Sequence, residues 1–153
     1  MTRKKGKQLN WGVERRYEFI EFRLFWQGRI NRGDLMDAFG VSTQQASLDL
    51  NAYIDQAKRN LTYDKSLRTY LRGKQFKPKY LKPDAEEYFA QLRAVDQGLV
   101  SAEQSWISVF PGFGATPTPA RGVAPETLRD VLAAIRLPAA LQVTYQSMSR
   151  PGL

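Results

Sequence analysis

The sequence has no cysteine and no histidine. Without thiols there is no disulfide framework, no zinc ribbon and no sulfur nucleophile. Without imidazole, the Ser/His/Asp triad, the usual neutral-pH base and nearly every transition-metal site are excluded as well. No cofactor is expected. Long apolar runs are also missing: nothing approaches the roughly 18 consecutive apolar residues of a membrane span. Met1 leads into polar residues rather than an apolar stretch, so no signal peptide is read. The expected compartment is the cytoplasm, with no membrane partner. Lysine is absent after Lys82.

What is present suffices for a packed core. The 153 residues are 42% hydrophobic, with 8 Phe, 7 Tyr and 3 Trp, which excludes disorder of the whole chain. The net charge of +8 is unevenly placed. Residues 1–83 hold 18 Lys and Arg against 8 Asp and Glu, and residues 84–153 hold 5 against 7. A basic N-terminal half on a near-neutral C-terminal half points to a polyanion, and nucleic acid is the commonest one.

Residues 1–12 are read as a flexible basic arm. From Val13 to Gln27 no Gly or Pro intervenes. Tyr17, Ile20 and Leu24 recur at helical spacing, and Phe19, Phe22, Phe25 and Trp26 widen the apolar face. Gly28 ends this helix. Asn31 caps a short second helix bearing Leu35, Met36 and Phe39, with Gly40 at its end. Ser42 caps a third, Thr43 to Ala57, with Ala46, Leu50, Tyr53 and Ile54 inward. The period then falls to two. Leu61–Tyr63 and Leu67–Leu71 flank Asp64-Lys65-Ser66 as a short hairpin. Residues 58–82 carry nine basic residues and one acid, the most positive stretch of the chain. Pro83-Asp84 opens another helix, with Tyr88, Leu92 and Val95 on one face and a stop at Gly98. The prolines and glycines of 108–125 mark a linker. A last helix runs from Pro125 to Arg136, and Leu141–Tyr145 follows as a strand.

Helix, short helix, four-residue turn, helix and basic hairpin is the order of a winged helix-turn-helix. In the turn Phe39-Gly40-Val41-Ser42, glycine tolerates a left-handed backbone, Val41 plugs the corner and Ser42 caps the following helix. With Ala46, Leu50 and Tyr53 buried, the outward face of that helix holds Thr43, Gln44, Ser47, Leu48 and Asn51, with Gln45 at its margin. Gln and Asn pair bidentately with adenine, and Ser and Thr bond to several bases. Such a helix enters the major groove by its N-terminal turns, where Ser42 also meets a phosphate. Arg32 on the second helix, Lys65 and Arg68 on the wing, and Arg72 and Lys74 after it fit phosphate or minor-groove contact. The expected partner is double-stranded DNA. Two half-sites one helical turn apart call for a homodimer, built from residues 84–110 (Tyr88, Phe89, Leu92, Trp106, Ile107, Phe110) or from the strand Leu141–Tyr145.

The run Gly40-Val41-Ser42-Thr43-Gln44-Gln45-Ala46-Ser47-Leu48-Asp49-Leu50 resembles the helix-turn-helix of bacterial WYL-domain transcriptional regulators. Arg16–Leu24, Gln45–Leu50 and Leu61–Ser66 are similar to one branch, the repressors beside BREX- and CBASS-type anti-phage defence operons. Ala133–Arg136 and Leu141–Arg150 look like the opening of the WYL domain, a small Sm-like β-barrel. The resemblance implies a mainly α protein with a small β-wing. It implies a winged helix-turn-helix over 13–82, a helical connector and Pro/Gly linker over 83–124, and an incomplete WYL barrel start, one helix and one strand, over 125–153. It implies a repressor. The Trp-Tyr-Leu motif that names the domain is absent, so no effector is carried over, and residues 139–153 are expected to lie exposed, disordered or paired to something else.

Other classes fit less well. A Pro-Asp nuclease motif at Pro83-Asp84 needs a later lysine, and there is none. Glu86, Glu87, Glu126 and Asp130 read as solvated charge, so no enzyme is expected. The first helix, read as a membrane-surface element, has Glu14, Glu18 and Glu21 on its polar face, which anionic lipid repels. A winged helix used as a protein-interaction module stays open; acids in place of the basic wing would favour it.

Overall fold

The computed structural model describes residues 10–114 and 122–145. Residues 1–9 of the arm expected over 1–12, residues 115–121 of the Pro/Gly linker and residues 146–153 lie outside the described residues, while residues 10–12 of that arm cap and open the first helix. Five helices and a three-stranded sheet follow in the order α1 (Trp11–Gln27), β1 (Arg29–Ile30), α2 (Arg32–Phe39), α3 (Thr43–Gln56), β2 (Leu61–Asp64), β3 (Thr69–Arg72), α4 (Ala85–Asp96) and α5 (Pro125–Arg136), with a 3-10 turn at Ala102–Gln104 before α5.

The punctuation read from the sequence is visible in the backbone. Asn10 caps α1 by accepting from the Gly12 amide, which starts the helix two residues before Val13. Asn31 and Asp34 form a reciprocal capping box on α2. Ser42 Oγ accepts from the Gln45 amide at 3.1 Å and starts α3. Between them Gly40 adopts φ 63°, a left-handed turn in which a Cβ would be strained.

Three readings need correction. The two-residue strand β1 had no alternation long enough to mark it. It pairs antiparallel with β3, giving the order β1-β3-β2. The hairpin turn is Lys65–Arg68 rather than Asp64–Ser66, because Asp64 Oδ1 accepts from the Ser66 and Leu67 amides at 2.8 and 2.9 Å and Arg68 takes φ 51°. Leu141–Tyr145 forms no strand: it is exposed and has no ladder partner among the described residues.

Two apolar clusters share α1. One joins Tyr17, Phe19, Ile20 and Leu24 to Ile30, Leu35, Ala46, Leu50, Tyr53 and Leu61, with Val41 and Phe39 packed against it. The other joins Phe22, Phe25 and Trp26 to Tyr88, Leu92, Ile107, Leu128 and Leu132. A helix covered on both sides reads as apolar nearly all round, which explains its density of aromatics. Trp106 meets Phe19 and Phe22 edge-on at 5.3 and 5.6 Å, with the Arg15 guanidinium 4.1 Å from its ring centroid. Tyr88, Leu92 and Ile107 are internal in the same way. Phe89, Trp106 and Phe110 are half-buried against the same cluster, so the aromatics of 84–110 are largely engaged within the chain.

Glu21 is the largest departure. Expected on a solvated face with Glu14 and Glu18, it is fully buried. Its carboxylate accepts from Tyr53 Oη at 2.9 Å and from the backbone amides of Lys79, Tyr80 and Leu81 at 2.7–2.9 Å. Asn60 extends the network, donating to Tyr53 Oη and to the Lys77 carbonyl and accepting from the Lys77 amide. Burial pushes the Tyr53 hydroxyl well above its ordinary pKa, so it remains a donor. Gly73 completes the junction. A Cβ there would sit 2.0 Å from the Arg59 carbonyl oxygen, so only glycine lets the chain leave the wing at this point.

Replacing Glu21 with Gln turns one acceptor oxygen into a donor that faces amide N–H groups in either orientation. Urea unfolding of Glu21→Gln is expected to show a loss of about 3 kcal/mol, the cost of leaving buried donors unmet. Leu50→Ala is expected to lose about 2–5 kcal/mol as a cavity opens under α3.

Candidate nucleic-acid interface

The site is built where α2, α3 and the wing approach one another. Asn31, Arg32, Gly33, Ser47, Asn51, Tyr63, Arg68 and Tyr70 line an open cleft of about 510 Å³. Its lining holds two arginines and no carboxylate. Asp64, the acid of the wing, is folded into its own turn. The cleft is therefore electropositive for a local reason, not only through the charge of the whole chain.

Each side chain is placed by a local constraint. Arg32 is the first residue of α2 and exposed, and its guanidinium donates to Ser47 Oγ at 3.3 Å. Ser47 Oγ donates in turn to the Thr43 carbonyl at 2.8 Å. Ser47 thus orients Arg32 across the gap between the two helices. Arg68 ends the wing turn with a left-handed backbone and is exposed at the cleft. Tyr63 and Tyr70 face each other across the ladder with centroids 4.9 Å apart. Tyr70 leans on the core, while Tyr63 is half exposed on the cleft side. In sequence the two tyrosines read as stacking aromatics or, alternating beside Leu61 and Leu71, as packing of the wing on the helices; directly opposed in the ladder, they share one face, which Tyr70 uses for packing and Tyr63 leaves half open.

The predicted residues divide into groups. Thr43, Gln44, Leu48 and Asn51 are exposed along α3, and Ser42 Oγ serves as the cap. Gln45 is folded back: its amide donates to Asp49 Oδ1 at 3.0 Å. Asp49 is buried and paired with Arg16 at 2.6 Å, which ties the middle of α3 to α1. That pair gives the Asp-Leu of the helix a structural task. Lys65 and Lys74 are exposed outside the cleft lining.

Arg72 is a correction. It was expected on phosphate. Its guanidinium instead donates to the Phe25 carbonyl at 3.0 Å and lies close to Arg129, Asp130 and Arg136. Burial is the chief influence lowering its pKa, with the Arg129 charge next. The reason is pairing parity: Arg72 ends β3 beside Gly28, and its amide donates to the Gly28 carbonyl, so its side chain runs back along the end of α1.

Among the described residues no helix is long and apolar enough to cross a membrane, and no group of three or more acidic residues could hold a metal ion.

The chain is similar to several known proteins. Three relatives are each described as a DNA-binding transcriptional repressor CapW. That of Stenotrophomonas maltophilia is 39% identical over 146 residues, covering 95% of this chain and 49% of the relative. That of Escherichia coli strain KTE188 is 42% identical over 148 residues, covering 96% and 50%. That of Pseudomonas aeruginosa is 37% identical over 148 residues, covering 96% and 50%. The chain spans about half the length of these curated relatives. Residues 12–94 match the winged helix-turn-helix domain of the BrxR transcriptional regulators, a match that runs from α1 through the wing to α4. By that domain, which takes in more than half of its length, the chain belongs to the BrxR family of winged helix-turn-helix regulators.

Proposed function

We propose that the chain is the DNA-binding part of a transcriptional repressor that reads a double-stranded operator with α3. The carrying observation is the convergence of Arg32, Ser47, Asn51, Tyr63 and Arg68 on one acid-free cleft between helix and wing. The repressor descriptions of relatives at 37–42% identity support the same reading.

In this reading Thr43, Gln44, Leu48 and Asn51 meet base edges in the major groove, Leu48 by apolar contact with a thymine methyl. Ser47 contributes through Arg32, which it holds against the backbone. Arg68 and Lys65 contact phosphate or the adjacent minor groove. Regulation of an anti-phage defence operon is part of the proposal, as the resemblance to defence-associated repressors suggests. So is the assignment of residues 125–153 as the start of a WYL domain. So is a homodimer: the exposed Leu141, Val143 and Tyr145 are offered to a second copy, beside other exposed apolar residues such as Trp11, Leu67, Leu99 and Ile135.

Selection from a random duplex pool supplies the operator against which these roles are tested. Gln44→Ala and Asn51→Ala are expected to lose about 1–3 kcal/mol each of discrimination between that operator and scrambled DNA, with non-specific binding nearly intact. Unchanged preference in both variants would reject groove reading by α3 and favour the protein-interaction module. Arg68→Ala is expected to lower the slope of log affinity against log salt by about one. Arg72→Ala is expected to leave that slope unchanged and to lower the melting temperature instead. Sedimentation of the wild type beside Val143→Asp checks the dimer, which the aspartate is expected to dissociate.

A further inference from the structure

A second, smaller cleft of about 260 Å³ lies behind the wing, lined by Arg23, Gln27, Arg29, Asn31, Asp34, Leu67, Arg68, Thr69 and Ser108. It shares only Asn31 and Arg68 with the groove-facing cleft. Its balance of donors and acceptors is unusual. Arg23 is more than nine-tenths buried, and its Nε has no hydrogen-bond partner. Gln27 Nε2 is buried without a partner as well. The Gln27 amide is fixed in orientation, because its oxygen already accepts from Arg23 at 3.2 Å and from Ser108 Oγ at 2.5 Å. The NH₂ group is left with nothing to meet.

The charges are equally one-sided. Asp34 is the one carboxylate in the lining, and it is shared: it accepts from Arg23 at 3.3 Å and from the Asn31 amide at 2.7 Å. Asp37 reaches Arg23 through its field alone. Three guanidinium groups thus border a cleft with one committed acid, and two buried N–H donors beside it lack acceptors. Unmet buried donors each cost on the order of 1–3 kcal/mol; both atoms are closed to solvent, so an acceptor-only ligand relieves them once the Arg23 and Gln27 side chains turn toward the cleft.

We propose that this cleft is an oxyanion site for a phosphate group, held by Arg23, Gln27 and Arg29, with Arg68 closing over it from the wing. A phosphate offers oxygen acceptors in several directions and no competing cation, which fits a planar guanidinium at each side. The phosphate belongs either to a free phosphate ester or to a DNA backbone that reaches behind the wing. Arg68 borders both clefts, so in the first case an occupied rear site draws it away from the groove side. The proposal does not depend on groove reading by α3: it stands on the unpartnered donors and on the arginines around them.

The test is side-chain NMR on the full chain, titrated with inorganic phosphate at fixed ionic strength. The Arg23 and Arg29 Nε–Hε signals and the Gln27 amide signals are expected to shift saturably with phosphate and not with sodium chloride. Arg29→Gln, on an exposed strand residue outside the groove cleft, is expected to weaken the phosphate affinity about tenfold. A short duplex that moves the same signals identifies a backbone phosphate as the ligand. A duplex that leaves them in place identifies a free ester. Shifts that grow linearly and equally in chloride, or an affinity unchanged in Arg29→Gln, would overturn the site. Neither of those results bears on Gln44 and Asn51, whose variants test groove reading separately.

Discussion

The carboxylate of Glu21 holds three parts of the chain at one point. It sits in the middle of α1, takes the Tyr53 hydroxyl from α3 and receives three consecutive amides of the segment leaving the wing. Among the described residues no cationic side chain pairs with it; backbone dipoles and one hydroxyl satisfy it. A buried charge satisfied in this way is directional, so it sets the angle of α3 to α1 and the path of residues 77–81 together. Were that path to shift, the wing and α4 would lose their common anchor.

From that anchor the geometry of the cleft between α3 and the wing follows by short steps. Arg16 and Asp49 pin the middle of α3 to α1, and the Gly40 turn with the Ser42 cap sets where α3 begins. Ser47 then stands within reach of Arg32, and the wing is held beside both by β1 and β3. The polar atoms of α3 fall into two classes for this reason. Those of Gln45 and Asp49 serve the fold. Those of Gln44 and Asn51 are left toward solvent, where a ligand can use them.

The second cluster explains why the chain continues past the wing. Phe22, Phe25 and Trp26 cannot be covered by α2 and α3, which lie on the other side of α1. Tyr88 and Leu92 of α4 and Leu128 and Leu132 of α5 cover them. Arg136 reaches the Trp26 carbonyl, and Arg72 reaches that of Phe25. Two arginines thereby satisfy the carbonyls at the end of α1, which would otherwise be orphaned.

Short-range signals carried much of this in the sequence. Gly40, Ser42, Asn31 and Asp84 act on their own neighbours through capping and turn geometry, so the helices of the winged domain and their order were legible there. The outward face of α3 was legible too, because the spacing of Ala46, Leu50 and Tyr53 fixes its opposite. Long-range pairing was not. Whether Glu21 meets water or the amides of Lys79–Leu81 depends on a segment 58–60 residues away. Whether Arg72 meets phosphate or the Phe25 carbonyl depends on how β3 ends beside α1. Whether Trp106 packs within the chain or meets a second copy depends on whether α1 brings Phe19 and Phe22 to it. Periodicity describes one helix or strand at a time. Which neighbour covers it, and which charge that neighbour buries, is decided only when the elements pack.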